Sequence, residues 1–167
     1  LALALPIALQ SLITIGVNML DTIMVGRLSE EALSAASLAN QFITIYHIFC
    51  MGLGMGASVL VSRYWGMREN EPQKAAEALK KTVCIMVRLT LGLALLFAVV
   101  TAVMPAAVMG MYTPEESIIS LGVIYFKYSI ATYFFLGLSL VCTIVLRSVG
   151  QVRMPLYVSI GAFFVNL

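Results

Sequence analysis

The stretch YSIATYFFLGLSLVCTIVL, residues 128–146, runs without a charged side chain. A helix rises about 1.5 Å per residue and a bilayer core is about 30 Å thick, so about 20 apolar residues span it. Residues 128–146 read as one such span, with 117–127 continuing the same helix into the interface. Outward from it the pattern repeats. Uncharged runs cover 1–20, passing Asp21 to reach Val25, and 32–62. Another lies between Arg88 and Glu115, where Pro105 marks the expected helix end. A last run opens at Met154 and continues to Leu167. The expected helices cover 1–25, 32–64, 75–104, 115–147 and 154–167: four complete transmembrane helices and a truncated fifth. The predicted class is an all-α polytopic membrane protein, its first partner the lipid bilayer.

Composition agrees. Of 167 residues, 61% are hydrophobic and 11% charged, with mean hydropathy +1.00. A soluble domain averages about 45–50% apolar and about 25% charged residues, so a water-soluble enzyme is excluded. The net charge of +2 is dispersed and forms no basic tract for nucleic acid. Cys50, Cys84 and Cys142 lie in apolar runs without CxxC or Cys/His spacing, and read as small residues facing lipid or helix. No catalytic pair, metal cluster or phosphate loop is present, so neither an enzyme nor a cofactor is expected. The sequence lacks an initiator Met and a signal-peptide pattern, and it closes within the apolar run 163–167. It is expected to be a piece of a longer protein.

The connections are short. Thr113 is the expected N-cap of the fourth helix, with Pro114 at its first position and acids in its first turn. Glu77 and Lys81 are spaced for an i,i+4 pair. Orientation follows from basic residues. Arg63, Arg68, Lys74, Lys80 and Lys81 sit around the second connection, Arg147 and Arg153 at the fourth, and Arg27 alone at the first. The positive-inside rule places the second and fourth connections, and the N-terminus, in the cytoplasm. A multi-pass protein of the cell membrane is expected.

Polar residues inside spans are costly. Asp21 is the one acid inside an expected span, and Gln10, Thr14, Asn18 and Asp21 fall within an arc of about 80°. On the second helix Ser34, Ser37, Asn40, Gln41, Thr44 and His47 occupy about 140°, and on the fourth Tyr125, Ser129, Thr132, Ser139 and Thr143 occupy about 80°. Two readings stay open at this point: three stripes converging on a wet transport path, or interhelical hydrogen-bond glue. His47 reads as a bundle residue rather than a proton relay. Gly52, Gly54 and Gly56 read as packing positions, Lys127 between Tyr125 and Tyr128 as an interface anchor, and Pro6 as a kink.

These residues resemble the multidrug and toxic compound extrusion (MATE) family of cation-coupled antiporters. The resemblance is carried in order by Pro6, the run 18–26 (NMLDTIMVG), 32–39 (ALSAASLA), 52–56 (GLGMG), 61–66 (VSRYWG), 146–151 (LRSVGQ), Pro155 and 164–166 (FVN). It implies the first six-helix lobe of a twelve-helix transporter, lacking the end of its fifth helix and its sixth, with the C-terminal lobe as missing partner. It also implies that Asp21 and Asn166 form the cation-coupling site, which in a sodium-coupled member binds the metal ion, and that Pro6 is the helix bend. A second acid found in many members would lie past Leu167. Gln10, Thr14, Asn18, Asn40, Gln41, Thr44, Ser139 and Thr143 are candidates to line the cavity.

The function implied is export of amphiphilic, often cationic drugs or toxic organic compounds in exchange for sodium ions or protons, by alternating access. Desolvation disfavours a charged carboxylate at partial depth, and a bound cation or proton neutralises it. The 10 Met, 8 Phe and 7 Tyr residues suit adaptable recognition and contact with organic cations. Alternatives are a lipid-linked saccharide flippase of the same superfamily and a non-transporting membrane scaffold. The first is disfavoured because Arg63, Arg147 and Arg153 sit at the cytoplasmic margin rather than within a cavity.

Overall fold

A computed structural model describes residues 4–26 and 29–166, with side chains described from residue 7 on except at positions 21, 25, 165 and 166. The helices are α1 (Ala4–Gly26), α2 (Glu30–Met67), α3 (Pro72–Val103), α4 (Pro105–Gly110), α5 (Glu116–Ser148) and α6 (Arg153–Asn166). No strand occurs among the described residues. Helices α1, α2, α3 and α5 are long and apolar enough to cross a membrane. The chain is an all-α polytopic membrane protein.

Local chemistry explains where the boundaries depart from expectation. Helix α2 starts at Glu30, not 32, because Ser29 caps it: its Oγ accepts from the Ala32 amide at 3.0 Å, with Glu30 and Glu31 in the first turn. Such a cap satisfies a donor that the helix cannot. Helix α3 starts at Pro72 rather than 75, since a missing N–H costs nothing at a first position. Pro105 ends one helix, as expected, and also opens another, the short α4. Helix α5 starts at Glu116 and not at Pro114. Glu115 is extended (φ −75°, ψ 114°), and Thr113 Oγ1 accepts from the Glu115 amide at 3.3 Å, a turn within the connection instead of a cap. Its far end closes with Gly150 in the left-handed region (φ 79°). There the Gln151 amide donates to the Leu146 carbonyl at 2.8 Å and the Gly150 amide to the Arg147 carbonyl at 3.1 Å, the paired bonds of a Schellman motif.

Helix α2 is the organising element, packed on both α5 and α3, which also pack on each other; α4 lies on α5, and α1 lies chiefly against α6 with a lighter contact to α2. In lipid, helices gain little by hiding apolar surface from tails that are equally apolar, so close packing and interhelical hydrogen bonds hold them. Both occur at Tyr46. Its fully buried hydroxyl donates to the Tyr133 carbonyl at 2.7 Å, and the two rings meet edge to face at 5.3 Å. Phe97 of α3 stacks against both, and Ile43, Cys50, Ala94 and Ala98 complete this core. A second cluster joins Ala39, Val108, Met109 and Phe126, seating α4.

Gly137 makes the approach possible, since a Cβ there would strike the Tyr46 hydroxyl and Thr90 Cγ2. Of the three glycines expected to pack, Gly54 alone does so, beneath Ile144; at Gly52 and Gly56 a Cβ would meet nothing within 4 Å. Cys50 is buried in the core, and Cys84 and Cys142 are exposed. Glu77 and Lys81 do not pair; the ion pair among the described residues is Lys74 with Glu71 at 3.1 Å.

Candidate functional site

Polar residues of three helices surround one cavity of ≈ 680 Å³, within the range of about 300–1,000 Å³ common for small-molecule sites. Helix α1 contributes Thr14, Asn18 and Thr22, which recur every four residues and so share one face. Helix α2 contributes Ser37, Asn40, Thr44 and His47 opposite, and α5 adds Tyr125 and Leu136. Leu33, Ala36 and Ile43 supply the apolar wall. The site runs from Thr14 to Thr22 on α1, from Leu33 to His47 on α2 and from Tyr125 to Leu136 on α5. It therefore lies toward the end of the bundle where α1 joins α2 and α4 joins α5.

Local hydrogen bonding decides what these walls offer. The hydroxyls of Thr14, Thr22 and Thr44 donate to the carbonyls of Gln10, Asn18 and Asn40 at 2.9, 2.8 and 2.8 Å. Each donor proton is used within its own helix, and the hydroxyl lone pairs remain as acceptors. Across the cavity Tyr125 donates from its hydroxyl to Asn40 Oδ1 at 3.1 Å, joining α5 to α2. Among the described residues the result is a wall of hydroxyl and amide groups rich in acceptor oxygens, with the His47 imidazole and the Tyr125 ring beside them.

Of the candidates read from the sequence, Thr14, Asn18, Asn40 and Thr44 meet here. Gln10 does not line the cavity. One turn before Thr14, its Oε1 accepts from Arg147 Nη2 at 2.7 Å. Arg147 is thus half-buried and tied to α1 instead of standing free at the margin. Nearby, Ser62 Oγ donates to the Ser148 carbonyl at 3.2 Å, linking α2 to α5 at the same end.

Gln41, Ser139 and Thr143 are also not among the lining residues, and Gln41 and Ser139 are exposed. Gln41 stands about 40° around α2 from Ser37, outside the arc of α2 that lines the cavity. Ser139 shares the face of Tyr125 but lies past Leu136, further along α5 than any lining residue. The side chains of Pro6, Asp21 and Asn166 lie outside the described residues. Thr22 was not among the candidates, although its spacing from Thr14 and Asn18 was the available signal. Tyr125, Ser37 and His47 were visible as members of their stripes. Among the described residues no cluster of His, Cys, Asp and Glu is placed to hold a metal ion.

Comparison with known proteins bears on this arrangement. A family model described as MatE matches residues 6–167. No solved structure matches the chain.

Proposed function

Because the chain belongs to the MatE family, a family of efflux and related transporters in multi-pass membrane proteins, we propose that it forms the first lobe of a cation-coupled antiporter. Its substrates are amphiphilic, often cationic organic compounds, exchanged for inward-moving sodium ions or protons across the cell membrane. The observation that carries the reading is the cavity itself: polar stripes on α1 and α2, otherwise costly in a bilayer, share with Tyr125 of α5 one space large enough for a small organic molecule. Its acceptor oxygens and the Tyr125 ring favour a cationic guest.

Asp21 and Asn166 are the coupling pair in this proposal. Both offer oxygen atoms, the donor type that hard cations prefer. With the second and fourth connections cytoplasmic, as the basic residues argue, the cavity lies in the outer half of the membrane. A cation or proton arriving from outside neutralises Asp21 and favours a bend of α1 at Pro6 that narrows the cavity and expels substrate. Exchange follows because the two bound species favour different states of the same helix.

The test uses the full-length transporter in inverted vesicles, with sodium and pH gradients imposed separately. Asp21→Asn is expected to abolish gradient-driven substrate uptake while leaving expression and membrane insertion intact. Undiminished uptake by Asp21→Asn refutes the coupling role.

A further inference from the structure

A second hollow lies between α2 and α3; it shares no lining residue with the polar cavity and is independent of the transport reading. It is a trough of ≈ 320 Å³, walled by Gly52, Gly56 and Leu60 on one helix and Ile85, Met86 and Leu89 on the other. An apolar cavity of about 150 Å³ already accepts benzene. Glycine is a poor helix former, and neither Gly52 nor Gly56 serves helix packing here, since a Cβ at either position would touch nothing. What their missing side chains create is the trough.

The two helices run antiparallel, so Leu60 lies level with Thr82 and the trough opens toward the α2–α3 connection. Five cations cluster at that end. Two are engaged: Lys74 pairs with Glu71 at 3.1 Å, and Arg68 lies over the Trp65 ring at 3.8 Å. Lys80 stands about 200° around α3 from Thr82, away from the trough. Arg63 and Lys81 remain. Arg63 falls inside the arc of α2 that lines the trough, and Lys81 stands one turn from Ile85. Both are exposed, and neither is paired with an acid among the described residues.

We propose that this trough binds one anionic phospholipid, an acyl chain lying along Gly52–Leu60 and the phosphate held between Arg63 and Lys81. An apolar slot ending in two unneutralised cations at the membrane interface is complementary to that amphiphile, and basic sites between transmembrane helices hold anionic head groups elsewhere.

The experiment is native mass spectrometry of the full-length protein in detergent, titrated with phosphatidylglycerol and, as the neutral comparison, phosphatidylcholine. The wild type is expected to retain one phosphatidylglycerol in preference to phosphatidylcholine. Removing both cations (R63Q/K81Q) is expected to weaken phosphatidylglycerol binding about 25-fold, about fivefold per charge, and to leave phosphatidylcholine unchanged. G56L, which fills the slot, is expected to weaken both lipids, whereas K80Q is expected to change neither. Equal retention of the two lipids by the wild type overturns the proposal, as does undiminished phosphatidylglycerol binding in R63Q/K81Q. The charge variants carry the test if G56L fails to fold.

Discussion

The Tyr125 hydroxyl donates to Asn40 Oδ1 at 3.1 Å across the polar cavity, so one of the acceptor oxygens there is partly occupied by the protein itself. Tyr125→Phe keeps the ring and releases that lone pair. Binding of an organic-cation substrate is expected to stay within about threefold of wild type, since an interhelical hydrogen bond in a membrane is worth about 0.6 kcal/mol on average. Asn40→Leu removes the acceptor altogether. It is expected to weaken binding at least about tenfold, the scale of a hydrogen bond to a charged group. Equilibrium binding to the full-length protein measures both.

Gln10 and Arg147 form the tie at the other end of α1. Arg147 Nε is buried without a partner, so the guanidinium relies on Gln10. Gln10→Leu is expected to destabilise the protein by about 1.5–3 kcal/mol, read as a lower unfolding temperature in detergent. It is also expected to raise labelling of a Thr14→Cys reporter by an impermeant thiol reagent added from the Arg147 side. Unchanged labelling means that this contact does not close that end of α1.

Gly137 and the Tyr46 hydroxyl compete for the same space. Gly137→Ala is expected to cost about 1–3 kcal/mol through overpacking. Tyr46→Phe alone costs about 0.6 kcal/mol, the lost bond to the Tyr133 carbonyl. The double variant is expected to be more stable than the sum of the two, because removing the hydroxyl also removes the main clash. Thermal unfolding of the four proteins closes the cycle.

Wall position, rather than polarity, sets a residue's part in binding. Asn18→Leu and Thr44→Val are expected to weaken substrate binding about fivefold or more, in line with loss of one or two neutral polar contacts. Gln41→Leu and Ser139→Ala, equally polar in sequence but outside the cavity lining and exposed, are expected to leave it within twofold of wild type, as about 0.4 kcal/mol or less is typical of surface changes. Isothermal titration of the same four variants separates the two groups.

These contrasts trace what was legible before any coordinates. The four membrane-spanning helices, the proline break at 105 and the three polar stripes follow from residue types and spacing alone, whereas the short α4 does not. Gln10 and Gln41 were indistinguishable from Thr14 and Asn40 at that level, because a stripe of about 80–140° is wider than the strip of helix that meets the cavity. Thr22 went unselected for the converse reason: it lies at the stripe's margin, where a small rotation of α1 decides its role. Ser29 and Thr113 show the same limit at helix ends, two hydroxyls of similar context of which one caps a helix and the other closes a turn.

Residue chemistry by itself determined that this chain crosses a bilayer and where. A backbone in hydrocarbon must satisfy its own hydrogen bonds, and apolar length leaves the helix as the solution. The rotation of each helix was decided only in three dimensions. Leucine loses nothing by facing lipid, so apolar periodicity does not mark the inner face. Close contacts such as Tyr46 against Gly137 and Ile144 over Gly54 select one rotation, and with it the polar residues that share the cavity.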